Sequence, residues 1–212
     1  MSKIDIKRTE RQFYNGKVGR FDLVNLPKQQ YLMIDGEGGP VGEAYAPSLA
    51  ALYALSYGLK FHSKIELEKD YVVGPLEGLW WADDMETFIS RDKSAWKWTM
   101  MIRVPEWIDK SVFADVFETA LAKLQANKDP ATTEEYFNAV RLDTLEEGEC
   151  VQVLHVGSYD DEGPVLKEMH EGFIPSNGFA MRDMHHEIYL NDPRKISADR
   201  LKTILRQPVY KV

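Results

Sequence analysis

Apolar and polar positions alternate along this chain in short runs that end in Gly-rich, acidic turns, and one such run recurs. "YLMIDGEGGP" (residues 31–40) and "VLHVGSYDDEGP" (153–164) are each an apolar stretch that breaks into an acidic turn closing on Gly-Pro. Self-similarity of this kind predicts a repeated supersecondary unit. After each turn the apolar period lengthens from two to about 3.6 residues, the mark of a helix. Residues 43–59 place Leu49, Leu52, Tyr53 and Ser56 on one stripe, and residues 163–172 place Val165, Leu166 and Met169 on another. Pro164 suits the first turn of the second helix, where its missing N–H costs nothing.

Each helix is followed by a strand ending in acidic residues, "LEGLWWADD" (76–84) and "HHEIYLNDP" (185–193), and then by a strand ending near proline, "WKWTMMIRVP" (96–105) and "LKTILRQPV" (201–209). The order strand, helix, strand, strand therefore occurs twice. Between the copies "DKSVFADVFETALAKLQANKDP" (109–130) carries apolar residues at 112, 113, 116, 117, 120, 121 and 124 and predicts an amphipathic helix stopped by Asn127 and Pro130. The link "TTEEYFNAVRLDTLEEGE" has no low-complexity tract and reads as ordered connection. The expected architecture is α+β: one domain over 1–212, with a first copy at about 20–107, a helical insertion at about 109–138 and a second copy at about 139–212. The two antiparallel sheets would be related by a pseudo-two-fold axis, with a ligand cleft at their junction. Superposing the copies on "ADD" and "NDP" brings Trp80 opposite Tyr189 and Gly78 opposite Glu187.

Composition narrows the function classes. With 212 residues, 44% of them hydrophobic, the chain can bury a substantial core. A formal charge of −8 argues against nucleic acid as the main partner, since a phosphate-binding surface needs clustered Lys and Arg. The single cysteine, Cys150, has no disulfide partner and reads as a small strand residue. The polar amino terminus and the lack of a long apolar run lead to the expectation of a cytoplasmic protein with no membrane span.

Two features hold candidate chemistry. All five tryptophans lie between residues 80 and 107. Trp80 and Trp81 are neighbours on a strand and face opposite sides, so both cannot enter one core. The other feature is Glu187, an acid among apolar strand residues, sharing a strand face with Tyr189. Such an acid is either solvated on a wet sheet face or set in an aromatic cleft, where desolvation raises its pKa and fits it to pair with a cation or act as a general base. His170, His185 and His186 match no metal motif, and no metal or cofactor is implied. "DGEGGP" lacks the ending of a phosphate loop, and neither a GxSxG elbow nor a cysteine–histidine pair is evident, which argues against covalent catalysis.

The repeat, the run "HVGSYDDEGPVLKEM" and the closing "HEIYLNDPRKISADRLKTILRQPV" resemble the GyrI-like small-molecule-binding family. The resemblance is strongest from about residue 149 onward and runs through the first copy. It implies a tandem of the strand, helix, strand, strand unit, with an acid in the ligand cleft at the position of Glu187. Family regulators carry a helix-turn-helix domain, which this chain does not resemble. The "GLWW" run and the inserted helix are similar to a standalone branch that includes hydrolases opening the cyclopropane of duocarmycin- and yatakemycin-type DNA-alkylating compounds. The resemblance thus implies a detoxifying hydrolase with Glu187 as base and a tyrosine as proton donor, Tyr189, Tyr53, Tyr57 and Tyr136 being the candidates. Trp80, Trp81, Trp98 and His155 complete the expected ligand-binding set, for an aromatic small molecule rather than a protein or nucleic acid. A non-catalytic binder that sequesters aromatic or cationic drug-like molecules is the second reading, and a protein inhibitor of gyrase, as the family's namesake is, the third.

Overall fold

The computed structural model describes residues 3–83, 92–127 and 131–212. Asp84 of the repeat alignment and Pro130 of the expected helix stop lie outside them. In chain order the helices are α1 (Ile6–Thr9), α2 (Arg11–Tyr14), α3 (Tyr45–Ile65), α4 (Lys110–Ala126), α5 (Glu134–Ala139), α6 (Gly163–Lys167) and α7 (Ile174–Ser176), with a π-helical turn at Glu168–Phe173 between the last two. The strands are β1 (Asp22–Leu26), β2 (Gln29–Glu37), β3 (Leu76–Trp81), β4 (Lys97–Arg103), β5 (Arg141–Leu145), β6 (Gly148–Val156), β7 (Phe179–Met181), β8 (His185–Tyr189) and β9 (Lys202–Lys211). The fold is α+β with antiparallel strand pairing. The orders β2, α3, β3, β4 and β6, α6–α7, β8, β9 run as read from the sequence, with the short β7 inserted before β8.

The chain forms two compact units that alternate along the sequence. One takes Met1–Thr9, Gln29–Gly74 and Trp80–Leu145; the other takes Glu10–Lys28, Pro75–Leu79 and Glu146–Val212.

In the first unit β2 pairs with β4 on one side and β5 on the other, so that Met33 lies opposite Met101 and Arg141. β5 falls in the stretch expected to be connection, where "RLDTL" is too short for its alternation to stand out. Helix α3 continues six residues past the expected end at Leu59, to Ile65. Gly58 does not break it, because a Cβ there would come within 2.9 Å of Val116 Cγ1 of α4; the glycine serves close helix packing. Helix α4 starts where Asp109 accepts hydrogen bonds from the Ser111 and Val112 amides, both at 2.9 Å, which satisfies two of its open N–H groups. Trp98 is fully buried, edge-on to Tyr45 at 5.4 Å, with its indole N–H donating to the Gly38 carbonyl at 3.2 Å. Gly36 makes room for that indole: a Cβ on Gly36 would overlap ring atoms Cζ2 and Cη2. Gly36→Ala is expected to lower unfolding stability by about 1–3 kcal/mol through overpacking. Urea denaturation followed by tryptophan fluorescence checks this, and an unchanged midpoint contradicts it.

In the second unit the strand order is β1, β6, β9, β8, with β7 paired to the far end of β9. Val151, Val153, Leu205 and Val209 of this sheet pack against Met169, Ile174 and Phe179, with Phe21, Val165, Leu166 and Phe173 at the margin. The single helix expected over 163–172 is instead α6, a π turn and α7. Gly172 loosens the backbone there and Pro175 has no N–H for the preceding turn, so the ladder widens. Among the described residues no helix is long and apolar enough to cross a membrane.

Candidate functional site

Strand β8 sets two opposite chemistries back to back. Its pairing with β9, and that of β9 with β6, forms cross-strand rows: Gln152–Arg206–His186, Val153–Leu205–Glu187 and His155–Thr203–Tyr189. Because side chains alternate, His185, Glu187 and Tyr189 share one face and His186 and Ile188 the other.

On the His186 face lies a buried ionic cluster. His186 Nδ1 is 2.9 Å from Glu147 Oε1 and its Nε2 is 3.1 Å from Glu77 Oε2. A ring whose two nitrogens both meet carboxylate oxygens donates from both, which makes it an imidazolium. Arg206 donates to Glu147 Oε2 at 3.2 Å, to Gln152 Oε1 and to the Phe13 carbonyl, and the Tyr14 hydroxyl donates to Glu77 Oε1 at 3.1 Å. None of His186, Glu77, Glu147 and Arg206 is more than 4% exposed. Two cations face two carboxylates, so the buried charge balances. Burial alone raises the Glu147 carboxyl, but the His186 and Arg206 charges and hydrogen bonds outweigh it and hold the group at about 2. Burial likewise opposes the charged His186 ring, and the Glu147 charge and both carboxylate hydrogen bonds overcome it, so its pKa is raised.

On the opposite face Glu187 sits in the row of Val153 and Leu205, which belong to the apolar cluster, and its side chain is 15% exposed. Desolvation pushes its carboxyl up to about 7, only partly offset by the Tyr189 hydrogen bond and the His186 charge. The Tyr189 hydroxyl donates to Glu187 Oε2 at 2.8 Å, while Oε1 points towards His185, whose Nε2 is 3.8 Å away. Tyr159, in the turn after β6, meets the Tyr189 ring edge-on at 5.6 Å. Its hydroxyl is raised to about 12 by burial and by the Glu162, Glu187 and Asp192 charges. His170, carried by the π turn, is edge-on to His185 at 6.0 Å.

A family profile for a GyrI-like small-molecule-binding domain matches residues 20–209. The chain belongs to the GyrI-like family. This GyrI-like protein is 37% identical to an uncharacterized conserved protein from Listeria innocua, over 98% of this chain and 100% of that one, with a TM-score of 0.87. It is 36% identical to a hydrolase from Listeria innocua, over 98% and 100%, with a TM-score of 0.82. The C-terminal domain of EcmrR, at 12% identity over 91% and 98% with a TM-score of 0.54, shares the fold alone. No curated protein sequence matches.

Of the residues singled out in the sequence of this GyrI-like protein, Glu187 and Tyr189 are in direct contact, and His155 is in the Tyr189 row, two strands away. His155 is buried with Nε2 3.0 Å from the Ser158 carbonyl. The others belong to the first unit. Trp98 and Trp80 are buried, Trp80 edge-on to Trp96 at 5.8 Å, and Trp81 is half-buried, so the two neighbours do differ in environment. Tyr53 stacks on Tyr57 at 6.5 Å along α3; Tyr57 is 49% exposed and Tyr136 half-buried. Cys150 is buried, and burial raises its thiol pKa. Among the described residues no group of three or more His, Cys, Asp or Glu could hold a metal. Sequence reasoning missed the contacts made by Glu77, Glu147, Arg206, Tyr159 and His185. Only His185 left a signal, its period-two spacing from Glu187 and Tyr189.

Proposed function

We propose that this GyrI-like protein is a hydrolase that adds water to the strained cyclopropane of flat aromatic DNA-alkylating compounds, and thereby detoxifies them, with Glu187 as the base. The observation that carries this reading is a carboxylate raised to about 7 by burial, with one oxygen tied to Tyr189. A base poised near neutrality is what activation of water needs. The 36% identity to a hydrolase supports the reaction class. In the reaction, water oxygen bonds to the ring CH2 carbon and the strained C–C bond breaks. Its electron pair passes into the conjugated carbonyl, which becomes a phenol on taking up a proton, and Glu187 takes a proton from the water. Tyr189 fixes the rotamer of Glu187. Tyr159, edge-on to the Tyr189 ring at 5.6 Å, is our assignment for the donor to the carbonyl oxygen. The test is mass spectrometry of a duocarmycin-type compound incubated with the purified protein. Gain of one water, absent without protein, is the expected result. Recovery of intact compound with quenched tryptophan fluorescence would replace the hydrolase with a sequestering binder.

A further inference from the structure

Glu187 and Tyr189 leave one part of this strand face unexplained. His185 Nε2 has no hydrogen-bond partner among the described residues, although the side chain is only 12% exposed. Buried polar atoms without partners are rare, and each asks for a role. Its Nε2 stands 3.8 Å from Glu187 Oε1, too long for a direct hydrogen bond. Two acceptors at that spacing can each take one hydrogen of a single water molecule. With Nε2 turned to Glu187, Nδ1 is the atom left for Gln207, whose amide nitrogen already donates to the Arg182 and Pro208 carbonyls. Only the Gln207 carbonyl oxygen then remains for the ring, and an acceptor there favours the tautomer with hydrogen on Nδ1 and a lone pair on Nε2. The surroundings keep the ring uncharged: burial, then repulsion from His170 and from the His186 imidazolium, outweigh Gln207 and Glu147 and lower its pKa to about 3.

We propose that His185 is a second catalytic residue of this site, its Nε2 lone pair holding the water that Glu187 Oε1 deprotonates. This rests on the hydrolase reading. One proton of the water passes to Oε1. The other stays on the oxygen, bonded to Nε2, and becomes the hydroxyl proton of the product. With both hydrogens held, the water presents a lone pair to the electrophilic carbon and loses the freedom to rotate away. His170, edge-on to His185, backs the ring and keeps its plane.

Two variants and one spectrum test the assignment. His185→Phe keeps a ring without an acceptor, and His185→Gln sets a carbonyl oxygen near the Nε2 position. With a duocarmycin-type compound, His185→Phe is expected to lower kcat roughly 100-fold with KM within about threefold, and His185→Gln to return to within about tenfold of wild type. Retention of kcat by His185→Phe, or equal losses in both variants, overturns the proposal. If the wild-type protein leaves the compound intact, the hydrolase reading fails by itself. Nitrogen-15 spectra of histidine-labelled wild-type protein then decide on His185. A neutral ring protonated on Nδ1 from pH 8 to pH 5 is expected, and an Nε2–H ring or an imidazolium overturns the assignment.

Discussion

Glu187→Gln is expected to lower kcat for ring opening by about 10²–10⁴-fold while leaving the fold intact. The amide keeps the shape of the side chain, and its oxygen can still accept from the Tyr189 hydroxyl, so what is lost is the capacity to take a proton. In the wild-type protein kcat should rise through pH 7 as the carboxyl ionises, and at pH 6 it should be about tenfold below its plateau. The same burial acts on stability. The folded protein holds the Glu187 proton more tightly than the unfolded chain, where the ordinary value is 4.5. Stability from this group is therefore full below about pH 4.5, falls as pH rises through 7 and is flat above. The loss is on the order of 3 kcal/mol. Urea denaturation of both proteins at pH 5 and pH 8 isolates the effect as a difference between them. If that difference is the same at both pH values, Glu187 is not desolvated and the base assignment loses its physical ground.

The second large effect is expected on the other face of the same strand. His186→Ala should destabilise the protein by about 3–5 kcal/mol, because it leaves the Glu77 and Glu147 carboxylates buried with Arg206 as the remaining cation. By contrast Arg194→Ala breaks an ion pair with Asp192 in which the arginine is 85% exposed, and the expected loss is under about 1 kcal/mol. The cluster also has two pH limits. Glu147, held at about 2, contributes stability that is present above about pH 4.5 and lost as pH falls towards 2. His186, with its pKa raised, contributes stability that is full below about pH 6.5 and lost only as pH rises through the higher folded value. Thermal unfolding of His186→Ala and Arg194→Ala, read by circular dichroism, separates the two classes of ion pair. Equal shifts in Tm would show that the cluster contributes no more than a surface contact.

Much of the fold was legible because it is local. The acidic Gly-Pro turns, the change of period after them and the alternation in β8 are properties of neighbouring residues, and they give the α+β class and the order of the main elements. Helix α4 was readable in its extent and its apolar face from the spacing of residues 112–124, while its Asp109 cap emerged only in the structure. The π turn was not, because a period of 3.6 does not report where the hydrogen-bond ladder widens. Nor was Gly58: its need arises from Val116, which lies far along the chain.

The candidate site divides along the same line. By itself the sequence determined that His185, Glu187 and Tyr189 share a face and that His186 lies behind them, because the two-residue period of a strand is fixed by its backbone. Which face is dry, and which holds charge, was decided only by tertiary structure. Met169 and its neighbours are brought over one face by a separate helical segment, and His186 meets Glu147 and Glu77 across 39 and 109 residues of chain. Desolvation and buried ion pairing depend on what surrounds a group in space. The same "HHEIY" on a sheet with a wet face would be an ordinary run of solvated side chains; packed as it is here, one face becomes a poised carboxylate and the other a balanced core of charge.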